Sequence, residues 1–309
     1  MHFYDRRVGT ADPPTYANAF GVADETAAWG QRTHLRLTRL ELGLLVLAAA
    51  SGLVSTPVGD RDIDLGGLLA VVLFALTLTL RAYRMSTRPT RTWQDARAAA
   101  ESIKTLCWKY AAGSRLFPPD LDAARADQLF VERLRDVLGA LRELPTVQRA
   151  TTAHEEITPW MRALRAAPLG ERRSAYERER IEDQQRWYAG KSAFNQRQSQ
   201  RWGLVVLGLE FVGVVVGAVK AFGLLGSGST GGGVLLALVA TLGAAAAAWV
   251  QAKQYATLAS AYAIASEELA AIRVLATHAA GETAWAEFVD SAETAISREH
   301  TMWRASRTN

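Results

Sequence analysis

The chain has 309 residues, about half of them hydrophobic, a formal charge of +4 and a single cysteine, Cys107. So small a charge excludes a dedicated nucleic-acid surface, and one cysteine excludes an intrachain disulfide, which suits a reducing compartment. The average hydrophobicity is that of a soluble domain. Its distribution is not, because apolar residues are massed in four blocks.

In chain order, the start is polar and the first block begins well inside the chain, so no cleavable signal peptide is expected. The blocks cover residues 40–54, 65–80, 202–219 and 234–250. A spanning helix needs about 17–25 mostly apolar residues, so these runs are short. Arg39 and Arg81 bracket the first pair, and Arg201 and Lys253 bracket the second. Long basic side chains snorkel outward from helix ends, so the expectation is four spans in two hairpins. The alternative, a soluble bundle, would need unbroken runs such as residues 71–80 to be covered all round. Arginines and lysines cluster outside the hairpins, while the connectors 55–64 and 226–233 carry one base and none. Excess positive charge marks the cytoplasmic side, so both termini are expected inside, with Lys220 as the one misfit. Contact with membrane lipids, anionic headgroups included, follows from the same arginines.

Between the hairpins the periodicity is helical. Trp93, Ala96, Ala100, Ile103, Cys107 and Tyr110 share one face, between Pro89 and Gly113. Cys107 reads there as a small apolar residue. Phe130, Leu134, Val137, Leu141 and Leu144 form a second face that Pro145 ends. Thr158 followed by Pro159 is an N-cap with proline at the first helical position. From Glu171 a densely charged run continues into the third block. Most of its charges read as solvated helix surface, with Arg173/Glu177 and Glu182/Arg186 at ion-pair spacing. Beyond the fourth block, Tyr255, Leu258, Tyr262, Ala265, Leu269, Ile272 and Ala276 make a coiled-coil-like seam that must pack on this chain or on a second copy. A terminal helix follows Gly281, with Trp285, Phe288, Ala292, Ile296 and Trp303 on one side. The fold class expected is therefore an all-α integral membrane protein, four spans with a cytoplasmic helical bundle. It divides into a first hairpin unit (1–115), a helical connector (116–170) and a second hairpin unit (171–309). Corresponding residues recur at a near-constant offset: Glu41 with Glu210, Gly67 with Gly233 and Glu101 with Glu267. That suggests tandem duplication.

Candidate chemistry is sparse. Glu210 stands well inside the third block, about 12 Å of helix rise beyond Trp202. A carboxyl at that depth costs roughly 2.5–3.5 kcal/mol to insert, so it should face a pore, a partner or a hydrogen-bond acceptor as the protonated acid. Glu41, nearer the interface, reads as a boundary residue. Gly213 and Gly217, with Gly208 below them, have the spacing that lets membrane helices approach closely. His154-Glu155-Glu156 lacks the second histidine of a zinc protease, and the glycine-rich connector lacks the lysine of a phosphate loop. No enzyme, metal or cofactor is expected.

Two segments carry a family likeness: residues 176–188 (YERERIEDQQRWY), with Tyr176, Gln184, Trp187 and Tyr188, and residues 293–303 (ETAISREHTMW), with Glu293, Ser297, Glu299, His300 and Trp303. A weaker third comprises Trp93, Ala96, Arg97, Glu101, Ser102, Lys104, Trp108 and Tyr110. These resemble the bacterial SLATT families, the SMODS and SLOG-associating two-transmembrane effector domains, as two units fused. The resemblance implies an effector of bacterial conflict systems in the inner membrane. Such an effector is proposed to oligomerise and perturb the bilayer when a nucleotide-sensing or nucleotide-producing partner signals. A membrane-anchored scaffold and a constitutive ion channel are the alternatives.

Overall fold

The computed structural model describes residues 14–54, 57–58, 63–139, 156–223 and 230–305. Helix dominates: α1 (Asn18–Ser51), α2 (Leu65–Thr87), α3 (Pro89–Ala112), α4 (Ala123–Gly139), α5 (Pro159–Ala166), α6 (Leu169–Ala175), α7 (Asp183–Ala221), α8 (Thr230–Lys253), α9 (Tyr255–Ala276) and α10 (Gly281–Ala305). A π-helical segment, Tyr176–Glu182, joins α6 to α7 without a break. Among the described residues the one strand pairing is a two-residue antiparallel pair in the first connector, Pro57–Val58 against Ile63–Asp64.

Local chemistry explains the helix ends. The Asp64 carboxylate accepts from the Gly66 and Gly67 amides and starts α2. Thr158 accepts from the Met161 amide at 3.3 Å, with Pro159 at the first position, as the sequence indicates. α3 stops at Gly113, whose φ of +82° few other residues tolerate. A Cβ there would lie 2.5 Å from Arg172 Nη1. The carbonyl of Ala112, buried at the helix end, accepts from Arg172 Nη1 at 3.0 Å and from Trp285 Nε1 at 2.9 Å, which satisfies it.

Two compact units emerge. Unit 1 comprises residues 1–31, 90–190 and 261–309; unit 2 comprises 32–89 and 191–260. Unit 1 has two apolar clusters. In one, Ala19, Ala23 and Ala27 of α1 pack with Ala96, Ala100, Ile103 and Cys107 of α3, Phe130 and Leu134 of α4, and Met161 of α5. The small residues of α1 let it approach α3 closely. In the other, Trp108, Tyr176, Ile181 and Tyr188 meet Ala265 and Leu269 of α9 and Trp285, Val289 and Ala292 of α10. Tyr262, Ala265, Leu269 and Ile272 of the 255–276 seam are thus covered within unit 1. Leu141 and Leu144, expected on the α4 face, lie outside the described residues.

Unit 2 holds the apolar blocks. Three helical stretches are long and apolar enough to cross a membrane, and they contain α2, α7 and α8. Their apolar side chains are not covered: Val71, Phe74, Leu78, Leu204, Phe211 and Val214 are each more than half exposed. The first block is helical as the end of α1, but the 18 residues ending at Ser51 take in Arg36, Arg39 and Glu41.

Arg88 (φ +42°) and Gln254 (φ +51°) are the only non-glycine residues with positive φ among those described. Each stands between a returning apolar helix and its exit helix, and they are 166 residues apart. That is the offset of Gly67 to Gly233 and of Glu101 to Glu267, so the backbone repeats at the same interval as the sequence. The helix after the fourth block is therefore broken at Gln254, not continuous.

Candidate functional site

Unit 1 gathers the motif residues into one buried polar cluster. Tyr176, Arg180, Gln184 and Tyr188 follow each other at intervals of four, and all are buried. The Arg180 guanidinium and the Glu293 carboxylate of α10 are both inaccessible, and they pair through two parallel bonds, Nε to Oε1 at 2.8 Å and Nη2 to Oε2 at 2.7 Å. Tyr176 donates to Glu293 Oε1 at 3.0 Å, and Thr105 of α3 donates to Oε2 at 2.8 Å. Ser297 stands 3.3 Å from the Thr105 hydroxyl. Three elements distant in sequence thus meet on one carboxylate. Most of its acceptor capacity is filled, which is what makes an ion pair tolerable in an apolar core. Arg180 Nη1 is buried with no hydrogen-bond partner.

Further charges adjoin the pair. Arg97 binds Glu101 at 2.5 Å and Asp24 at 3.4 Å. The Glu101 carboxylate holds the Arg97 guanidinium above its ordinary value despite burial. Lys104 donates to Gln184 at 3.3 Å and stands over the Tyr16 ring. Burial first, then the positive charge of Arg180, pull Lys104 down to about 8. Burial alone would lower Arg180 as well, but Glu293 outweighs it and holds the guanidinium firmly charged. Tyr176 is pushed up by burial and by Glu293, so it stays a donor. Trp108 donates to the Tyr16 hydroxyl and packs edge-on against Trp160 and Tyr176. The charges of this cluster register α3, the π segment and α10 against one another. Among the described residues no three His, Cys, Asp or Glu side chains are grouped to hold a metal ion.

Most charges of the run from Glu171 read as solvated surface, and Arg172 and Arg180 are exceptions to that reading. Arg172 and Arg180 are buried, Arg172 bound to Glu282 and to the carbonyls of Ala112 and Ala167. Neither expected i, i+4 ion pair is the contact formed. Arg173 donates to the Ala279 carbonyl, Glu182 pairs with Arg273, and Arg186 with Asp183. Trp187 is about one-third exposed and stacks edge-on with Tyr188 and Tyr262. Glu299, His300 and Trp303 belong to α10, but their side chains fall outside the described residues.

Unit 2 separates the two acids of the apolar blocks. Glu41 is buried and pairs with Arg81 at 2.6 Å and Arg84 at 3.2 Å, tying α1 to α2. Glu210 is exposed on α7, with no ion pair among the described residues. Of the glycines, Gly213 lies against Val239 of α8, where a Cβ would sit 3.7 Å away. A Cβ at Gly208 or Gly217 would meet nothing within 4 Å, so neither packs inside this chain.

Thr105 and Arg180 are the cluster residues that sequence reasoning passed over. The signal for Arg180 was its place midway between Tyr176 and Gln184 on one helix face. Thr105 gives no such signal.

Comparison with family models adds to this geometry. The model for SMODS and SLOG-associating 2TM effector domain 3 matches residues 17–173, and that for effector domain 1 matches residues 176–303. No curated protein and no solved structure matches the chain.

Proposed function

Because this chain belongs to the SLATT family, with two such effector domains in tandem, we propose that it oligomerises in a bacterial inner membrane and permeabilises it when a partner or a nucleotide signal triggers it. SLATT effector domains are associated with conflict and defence systems, and each is a two-transmembrane unit. Two units make four spans. The Glu41 pairs to Arg81 and Arg84 support α1 as the fourth, because they neutralise the acid that would hinder its insertion. The positive-inside distribution puts both termini in the cytoplasm. The connector 116–170 completes the first SLATT unit, and residues 171–309 form the second.

The observation that carries the reading is the bare face of α7. Gln196, Gln200, Gly203, Leu207, Glu210, Val214, Gly217 and Ala221 recur three and four apart, and all but the half-buried Gly217 are exposed. Beside this line run bulky apolar side chains, with Leu204, Phe211 and Phe222 more than two-thirds exposed. Leu207, Val214 and Ala221 of the line suit lipid as their neighbours do, but the two amides and the carboxylate between them do not. Copies arranged about an axis with this line inward would form rings of Gln196, Gln200 and Glu210. Acidic rings favour cations.

Conductance of the reconstituted protein in planar bilayers tests the reading. Glu210→Gln keeps the shape and removes the charge, so cation selectivity should fall while expression stays normal. Unchanged conductance in a well-folded Glu210→Gln protein would remove this residue from the mechanism and favour a membrane-anchored scaffold. A strictly monomeric particle in mild detergent over a broad concentration range would exclude the assembly itself.

A further inference from the structure

We infer that unit 2 carries a built site for the phosphate of an anionic lipid headgroup, formed by Arg39 and Lys253 around Trp249. The Arg39 guanidinium lies 4.9 Å from the Trp249 ring centre, and the Lys253 ammonium lies 5.3 Å from the same centre. Lys253 also stands 5.9 Å over the Tyr255 ring. Trp202 packs against Trp249 at 6.4 Å, and the Tyr255 hydroxyl lies beside both indoles. Arg39 opens the first apolar block, Trp202 the third, and Trp249 and Lys253 close the fourth. Four helices therefore bring two cations and three amphipathic rings to one end of the apolar blocks. Tryptophan and tyrosine prefer that headgroup level.

The charge is unbalanced. Guanidinium and ammonium together offer eight N–H donors. Among the described residues, no carboxylate pairs with either group. The nearest acid in sequence, Glu41, is committed to Arg81 and Arg84. Cation–π contact holds each cation in place but supplies no counter-charge, and two like charges against one indole repel. An anion between them removes the repulsion and accepts the donors. A phosphodiester fits the fork of Arg39 and the point charge of Lys253. The headgroup layer supplies that group at this depth, and Arg39 is exposed to it.

The test uses the full chain in detergent, with phosphatidylglycerol or phosphatidylcholine added and bound lipid counted by native mass spectrometry. A direct hydrogen bond between charged groups contributes roughly a tenfold factor, so Arg39→Gln with Lys253→Gln should weaken phosphatidylglycerol binding about 100-fold. Arg32→Gln with Arg36→Gln removes the same charge from exposed positions of α1 and should leave binding unchanged. Lys253→Arg restores a cation and should bind as the wild type does. Equal loss in the two double variants would reduce the site to diffuse attraction and overturn it, and so would no loss in the first. Inorganic phosphate binding as tightly as phosphatidylglycerol would assign the site to free phosphates instead. Helicity by circular dichroism identifies a variant that has unfolded, in which case Lys253→Arg against Lys253→Met decides. The inference rests on the membrane reading of unit 2, and vesicle flotation separates the two. A chain that floats with neither lipid fails that reading, and one that floats with both yet shows no preference fails only this one.

Discussion

Removing the Glu293 carboxylate leaves Arg180 charged, buried and without its partner. Breaking a buried pair from one side typically costs about 3–5 kcal/mol, so Glu293→Gln should lower the thermal midpoint sharply in detergent. Replacing both, as Arg180→Met with Glu293→Leu, should recover most of that loss. A fall no larger than that of an exposed control such as Glu287→Gln would show that the pair does not anchor the bundle. Lys104 tests the same cluster through pH. Its folded value, about 8, lies below the ordinary 10.5, so the unfolded chain binds the extra proton between those values. Stability should therefore rise as pH climbs from 8 towards 10. Lys104→Met should be more stable than wild type at pH 7 and should lose that rise; an identical pH profile in the two proteins would contradict the assignment. The cluster was half legible in the sequence. Tyr176, Tyr188 and Glu293 stood out through the family resemblance, but an arginine in a run of charges gives no sign of which way it points. Arg180 is decided by what α3 and α10 bring to it, and that is tertiary information.

Helices, their caps and their order were readable because each rests on a local cause: Pro89, Gly113 and the Thr158–Pro159 start. The break at Arg88 was readable only through Pro89 after it, and the one at Gln254 was not readable, since neither residue type marks a left-handed turn. Such a φ costs a non-glycine residue roughly 1–2 kcal/mol, so each break is held by its surroundings. Substituting glycine discriminates by sign. At a left-handed position Gln254→Gly should raise the melting temperature, and Gln254→Val should lower it. In a continuous helix Gly would instead cost about 1 kcal/mol. A drop in stability for Gln254→Gly would therefore mean that α8 runs unbroken into α9. Arg88→Gly should behave in the same way, as the second copy of one repeated feature.

Which faces a whole chain covers cannot be read from periodicity, because an apolar seam looks the same against a neighbouring helix and against a second copy. Residues 262–272 of the seam pack in one cluster with Trp285 and Tyr176, whereas the line on α7 that carries Glu210 is bare. Span number raises the same problem at the largest scale. The 18-residue window at the end of α1 carries three charges, so composition alone leaves three spans in place of four. Thiol labelling with an impermeant reagent on intact cells separates the two counts, and Cys107, buried in the folded protein, stays silent. Cysteines at Asp60 and Ser229 should label under either count. With α2 returning to the cytoplasm, Asp60 is outside whether or not α1 crosses. The deciding position is Gln31, exposed on α1 ahead of the first apolar block. If α1 spans, Gln31→Cys lies inside and stays unlabelled until the membrane is opened. If α1 only rests against the surface, Gln31→Cys labels as readily as Asp60→Cys. The buried Glu41 pairs favour the first outcome, because neutralising that acid removes much of the penalty that shortens the block. Labelling at Gln31 in intact cells would reduce the chain to three spans and would also break the packing of α1 on α3 in unit 1, because α3 follows α2 on the cytoplasmic side.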